Sequence, residues 1–192
     1  RPELEKFAEK HDLKIGTIAD LIEYRNLNET TIEKVAQCHL PTEYGDFELH
    51  TFKDSIDNQL HFALKNGEVT EDNPTLVRVH LHNTFSDLLG STRGIHRSMT
   101  LADGMRKIAE EGGILVLLGK EEHIEHQVRR FAAEDRGERP AGADWQGSSR
   151  TIGVGSQILV SMGVQKMRLL SKPIKYHALS GYGLEVVEYV HD

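Results

Sequence analysis

Residues Leu76 to Ile108 read LVRVHLHNTFSDLLGSTRGIHRSMTLADGMRKI. The opening segment, Leu76 to His82, alternates apolar and polar, the period of a strand with one buried face. Val77, Val79 and Leu81 share one face; Arg78, His80 and His82 share the other. A polar run holding Gly90 and Gly94 follows. From Thr100 the period becomes helical, with Leu101, Met105, Ile108 and Ala109 on the apolar side. Thr100 and Asp103 predict a capping pair, and Gly112-Gly113 predicts the stop. The stretch also holds the densest set of groups able to do chemistry.

Upstream of it the chain reads as strands. Ile32–Leu40 alternates, and 41–45 predicts a turn. Asp46–Phe52 alternates again, with Phe47, Leu49 and Thr51 opposite Glu48 and His50. Leu60, Phe62 and Leu64 set a third strand ending at the turn signal Asn66-Gly67. Together these predict an antiparallel or mixed sheet. Downstream, helix and strand alternate. Ile114–Leu118 is a continuous apolar run and predicts a buried strand. Glu121–Arg136 predicts a charged helix with Ile124, Val128, Phe131 and Ala132 inward, and 136–149 a polar loop. Ile152–Met162 predicts a helix, Met167–Leu170 a strand, Pro173–Leu179 a short helix, and Leu184–Val190 a last strand. The fold class expected is α/β (α+β): a strand-rich first half followed by alternating helices and strands.

The first thirty residues differ in character. Arg1–Lys10 predicts a charged helix with Leu4, Phe7 and Ala8 on one side. Leu13–Gly16 suggests a short strand, and Thr17 with Asp20 a second capped helix. Residues 26–31 are polar and suggest a linker. The division expected is 1–30 as the tail of an upstream domain, and 31–192 as a domain of its own.

The chain has 192 residues, enough to bury a sizeable core. Its 23 basic and 30 acidic side chains give a formal charge of -7, which disfavours long-range steering of nucleic acid. Cys38 is its one cysteine, so no internal disulfide and no cysteine metal cluster can form. No run approaches the apolar length of a membrane-spanning helix. Cytoplasmic localisation and no membrane partner are the expectations.

Several groups could carry chemistry. His80 and His82 share a strand face, and His96 could return to them from the loop; three imidazoles can hold zinc and leave a position for water. A polar sheet face is the plainer reading. The loop Gly90-Ser91-Thr92-Arg93-Gly94 offers backbone donors, hydroxyls and a guanidinium to an anion, though without P-loop spacing. Arg150 before Gly153-Val154-Gly155 could place an anion at a helix start, and Lys172 beside Pro173 stands at a strand end. The run Glu121-Glu122-His123-Ile124-Glu125-His126 spaces its histidines by three, where a zinc helix needs four, so a solvated helix face is expected. Trp145 could stack on a base or cap core.

From Ile32 to Glu188 the chain resembles the GTP cyclohydrolase II family of riboflavin synthesis. The resemblance is carried by VAQCHLPTEYGDFELHTF, by LVRVH at 76–80, by DLLGSTR at 87–93, by IAEEGGILVLL at 108–118, by GVGSQILVSMGVQKMRLLS at 153–171 and by GYGLEVVE at 181–188. That family holds catalytic zinc with three cysteines. At those places this chain has Asn83, Gly94 and His96. The family's glycine- and arginine-rich stretch after Leu118 reads GKEEHIEHQVRR here, its DxRDYG segment reads SSRTIG, and its NNP turn reads SKP. Arg150 matches the family arginine at the nucleotide phosphate.

The resemblance implies a cyclohydrolase II-like domain that has lost its zinc anchor. The expectation is a domain silent in GTP ring opening, with a structural or regulatory role. The alternative it leaves is an altered metal-dependent GTP cyclohydrolase or nucleotide hydrolase that uses histidines. Residues 1–25 are similar to the end of 3,4-dihydroxy-2-butanone 4-phosphate synthase, which precedes the cyclohydrolase domain in bifunctional riboflavin proteins. That implies a covalently linked upstream synthase domain converting ribulose 5-phosphate to the four-carbon phosphate and formate with magnesium or manganese. No cofactor is expected in this chain, and zinc only under the alternative. The candidate ligand contacts are Arg93, Arg150 and Lys172, for a nucleotide or phosphate. The weak metal candidates are His80, His82 and His96. A homodimer is expected.

Overall fold

The protein is described by a computed structural model, which defines residues 2–16, 21, 24–25, 28–70, 73–93, 99–119, 122, 124–138, 149–173 and 179–190. The chain forms two compact units, Arg1–Thr30 and Thr31–Asp192. In the first, α1 spans Pro2–Lys10, with Ala8 buried. Leu4 and Phe7, expected on one side with it, are exposed. Leu13–Gly16 is irregular rather than a strand. Thr17 and Asp20 lie outside the described residues.

The second unit is built on a seven-stranded sheet in the order β1-β2-β3-β5-β4-β6-β7. The strands are β1 Ile32–Thr42, β2 Gly45–Asp54, β3 Leu60–Asn66, β4 Thr75–Leu81, β5 Gly113–Leu118, β6 Lys166–Leu170 and β7 Glu185–Val190. From β1 through β5 neighbours run antiparallel; β5, β4, β6 and β7 run parallel. The sheet is mixed, and the strand-rich half followed by helices and strands is as the sequence predicts. The insertion of β5 between β3 and β4 is what joins the halves. Gly113 makes that insertion possible: a Cβ there would lie 2.2 Å from the carbonyl oxygen of Leu76, and its φ is +136°.

Both faces of the sheet are covered. On one, Val77, Ile114, Val116 and Phe52 pack against Val154, Ile158 and Leu159. The last three come from α4, Ser149–Ser161, which begins three residues before the predicted start. On the other, Leu76, Leu115, Phe47 and Leu64 pack against Met105 and Ile108 of α2, Leu101–Glu111. Each fully buried aliphatic side chain contributes about 1.5–3 kcal/mol. The predicted cap forms: Asp103 N–H donates to Thr100 Oγ1 at 3.1 Å, and the hydroxyl donates back to Asp103 at 2.6 Å.

Two-sided burial corrects the reading of β2. Its inward set switches faces, so Phe47 is buried on one side, and His50, Phe52 and Asp54 on the other. The strand β1 runs on to Thr42, and the turn is tighter than predicted. Helix α3, Ile124–Asp135, buries none of its residues, and Ile124 and Val128 are exposed rather than inward. The predicted helix Pro173–Leu179 lies mostly outside the described residues; Leu179–Tyr182 forms a 3-10 turn. No described helix is long and apolar enough to cross a membrane.

Candidate functional site

The parallel strands β4 and β5 end side by side, with His80 opposite Leu117. Chain leaving such strand ends is a common place for ligand sites. The segment after β4 makes one turn of π-helix, Thr84–Leu88. Asn83 caps it, its Oδ1 accepting the N–H groups of Phe85 at 3.0 Å and Ser86 at 3.1 Å. That turn brings Asp87 back over β4. Asp87 Oδ2 sits 2.8 Å from His80 Nε2 and also accepts the Asn83 N–H at 2.9 Å. The Ser86 hydroxyl donates to Oδ1 at 3.1 Å.

Both members of the pair are buried, with side chains 7% and 4% exposed. Burial pushes the His80 imidazole down, outweighing the bond and charge of Asp87; the Arg78 and His82 charges add to the lowering. Burial pushes the Asp87 carboxyl up, but the bonds from His80, the Asn83 amide and Ser86 prevail and hold it below its ordinary value. The two directions agree on a neutral imidazole donating to an ionised carboxylate. His80 Nδ1 is then a bare acceptor, buried and without a hydrogen-bond partner among the described residues. A carboxylate-oriented neutral imidazole has the geometry of a general base. It also locks the turn in place.

A second carboxylate holds the same turn from β5's side. Glu122 accepts the Thr84 N–H at 2.7 Å and the Thr84 hydroxyl. His82 Nδ1 lies 3.6 Å from Glu122 Oε2. The two strand histidines therefore spend their rings on different carboxylates and do not share a ligand. His96 lies outside the described residues. Among those described, no three histidine, cysteine or acidic side chains gather to hold a metal. Asn83, at the place of a family zinc cysteine, is a helix cap. Outside the turn, Glu122, Ile124, Glu125 and His126 wall an open space of about 640 Å³.

The three anion candidates sit on separate elements. Arg93 lies over the Phe131 ring at 5.2 Å and pairs with Asp135 of α3. Arg150, in the first turn of α4, pairs with Asp54 at 2.8 Å and Asp57 at 2.9 Å. Its hydrogen bond to Asp54 raises it above its ordinary value, against burial and with help from both carboxylate charges. Lys172 is exposed in the turn after β6. Both guanidiniums thus carry carboxylates where a phosphate would need them. Close by, His61 Nδ1 accepts the N–H of Gly119 at 3.1 Å. A Cβ at Gly119 would come within 2.3 Å of the Leu60 carbonyl oxygen. Trp145, Glu121 and His123 lie outside the described residues.

Sequence reading missed Asp87 and Asp54, and took Glu122 for part of a solvated helix face, whereas it binds Thr84. Asp87 follows Asn83 by four residues, a spacing that suits a capped turn. Glu122 and Asp54 carry no local signal, because their partners come from other elements.

Residues 33–191 match the family described as GTP cyclohydrolase II. The chain belongs to the GTP cyclohydrolase II family. Within it, several relatives of high identity bear another name. The 3,4-dihydroxy-2-butanone 4-phosphate synthase of Photobacterium phosphoreum is 48% identical over 99% of this chain and 52% of that protein. The synthase of Pseudomonas aeruginosa is 44% identical, with the same coverage of each. The riboflavin biosynthesis protein RibBA of Aquifex aeolicus is 42% identical over 98% of this chain and 49% of that protein. A crystal structure of RibBX, a two-domain 3,4-dihydroxy-2-butanone 4-phosphate synthase from A. baumannii, covers all of this chain and 50% of that one, at 40% identity and a TM-score of 0.69.

The chain spans about half the length of the relatives it matches. Several of these relatives, that of Aquifex aeolicus among them, are named riboflavin biosynthesis proteins. Two expectations are corrected. The first is that the chain is a degenerate cyclohydrolase domain of a bifunctional protein. Relatives named for the synthase alone match 99% of it. The second is that the chain, joined to a synthase, is itself not enzymatic and has a structural or regulatory role; its match to synthases over nearly its whole length argues against that. That inference came from the missing cysteines, which bear on zinc chemistry and not on a synthase.

Proposed function

We propose that this chain is an integral working half of a two-domain 3,4-dihydroxy-2-butanone 4-phosphate synthase. The observation that carries the reading is the end-to-end match: a two-domain synthase covers every residue of the chain at 40% identity. In this reading the enzyme takes ribulose 5-phosphate to its four-carbon product, and magnesium or manganese is held by the half beyond this chain. The turn around His80, Asp87 and Glu122 is the part of this chain coupled to that chemistry. It combines a buried, carboxylate-oriented imidazole with a turn that Asn83 caps and Glu122 braces, at the ends of parallel strands. A homodimer completes the proposal.

The test is hydrogen exchange on the full-length protein, with and without ribulose 5-phosphate. Slower exchange at residues 82–89 on adding substrate supports the reading. Identical exchange throughout 31–192 overturns it.

A further inference from the structure

The chain leaving β5 is held at its first residue by a histidine of another strand. His61 of β3 is 4% exposed, and its Nδ1 accepts the N–H of Gly119 at 3.1 Å. Gly119 directly follows the last residue of β5. The backbones touch there: a Cβ on Gly119 would lie 2.3 Å from the carbonyl oxygen of Leu60, the residue before His61. Gly119 is therefore fixed twice, by the imidazole and by close approach to β3. Neither constraint belongs to the sheet ladder, because the pairing of β3 with β5 ends at Phe62 and Leu117.

What this anchor holds is the brace of the turn after β4. Three residues beyond Gly119, Glu122 accepts the Thr84 N–H at 2.7 Å and the Thr84 hydroxyl. Thr84 opens the turn that carries Asp87 over His80. On the other side of Gly119, the Leu118 carbonyl accepts the His82 N–H at 3.5 Å. The span 118–122 therefore meets the segment around Thr84 at both its ends, and His61 grips it between them. Three residues reach at most about 10 Å, so the place of Gly119 limits where Glu122 can go. The grip has a condition. A ring nitrogen that accepts a hydrogen bond carries no proton, so the proton of His61 is on Nε2. Nε2 is buried and has no hydrogen-bond partner among the described residues. A second proton would have to enter at Nδ1 and turn the acceptor into a donor facing the Gly119 N–H. A charged His61 and the bond to Gly119 exclude each other.

We infer that His61 is a positioning residue for the turn at the end of β4: through the Gly119 amide and Glu122 it holds Thr84, and with it the His80–Asp87 pair. A proton on Nδ1 breaks the hold, so the turn loosens in acid. Burial is the first cause that keeps His61 below the ordinary histidine value; the Asp54 and Asp57 charges oppose it and the Arg150 charge adds to it. The charged groups facing the ring are therefore Asp54 from β2, Asp57 from the chain between β2 and β3, and Arg150 from α4. The strand β5 brings apolar side chains and, past its end, the Gly119 amide. The effect on rate rests on the synthase reading; the hold on the turn does not.

The test is hydrogen exchange of the full-length protein without substrate, at pH 7.5 and pH 5.5, corrected for intrinsic amide rates. It compares the parent with His61→Phe, which has no acceptor, and His61→Asn, whose side-chain oxygen accepts and takes no proton. In the parent, protection of residues 84–88 is expected to fall at least fivefold more than that of 114–117 on going to pH 5.5. His61→Phe is expected to show that selective loss at both pH values, and His61→Asn at neither. Synthase kcat at pH 7.5 should fall at least fivefold in His61→Phe with KM within twofold, and His61→Asn should recover most of it. Equal protection of 84–88 in the parent and His61→Phe overturns the inference. So does the same acid loss in the parent and His61→Asn, a comparison that serves even where His61→Phe does not fold. A loosened turn with unchanged kcat supports the hold and counts against the synthase reading instead.

Discussion

The imidazole of His80 and the carboxylate of Asp87 meet at 2.8 Å inside the protein, across a turn that Asn83 caps and Glu122 braces. Residues seven apart in sequence are brought together because the π-turn reverses the chain over the end of β4. Removing the carboxylate leaves a buried ring N–H and the Asn83 N–H without an acceptor. Asp87→Ala is expected to lower folding stability by about 2–4 kcal/mol. Urea unfolding followed by circular dichroism checks it; a change under half a kcal/mol, of order that of an ordinary surface site, would refute the pair's structural role.

Acid weakens the fold in a defined window. Burial is the first cause that holds His50, His61 and His80 below the ordinary histidine value. Below about pH 6.5 the unfolded chain binds protons that the folded chain refuses. Stability is therefore full above that pH and falls as pH drops beneath it. Asp87 acts the same way at lower pH: its depressed value adds stability above the unfolded carboxylate range, lost as pH falls through the folded value. Melting temperature should be level from pH 8 to 7 and fall below pH 6.5. His80→Gln should flatten the upper part of that fall; an unchanged profile would contradict the assignment.

Arg150 ties the start of α4 to the chain between β2 and β3. Asp54 is 1% exposed on its side chain, and Arg150 is 39% exposed. Among the described residues, Arg150→Ala leaves the buried carboxylate with the Ile56 N–H at 2.9 Å. The expected loss is about 1–2 kcal/mol, reduced from a fully buried pair by solvent at the guanidinium. Arg150→Lys should recover part of it. Denaturant midpoints decide; equal stability of Arg150→Ala and the parent would return Arg150 to the role of a ligand contact.

Two glycines separate backbone freedom from close approach. Gly90 has φ +61° and open space around its Cβ position, so Gly90→Ala should cost only about 1 kcal/mol. Gly113 combines φ +136° with a carbonyl oxygen 2.2 Å from the Cβ position. Gly113→Ala should exceed 3 kcal/mol or yield no soluble protein, because β5 cannot then lie beside β4. Thermal melts of the two variants give the comparison.

Local pattern was enough where local forces decide. The alternation of Leu76–His82 placed Val77 and Val79 in one core layer, and Thr100 with Asp103 marked where α2 begins. Pairing order is not a local property, so nothing in the run Ile114–Leu118 said that it would divide β3 from β4. His50 was read as a polar alternate, but β2 is covered on both faces, which buries either phase of its alternation. The histidines shared a strand face as expected, yet their partners, Asp87 and Glu122, are set by a turn and by a segment beyond β5. Arg150 stood out by resemblance, while its carboxylates lie 96 and 93 residues away in sequence.

The account rests on this chain being a working half of a synthase. The most direct measurement is the rate of 3,4-dihydroxy-2-butanone 4-phosphate formation by the full-length protein, before and after removal of residues 31–192, with folding of both checked by circular dichroism. The account predicts at least a tenfold fall in rate per enzyme. A folded, truncated protein that keeps the full rate would contradict it.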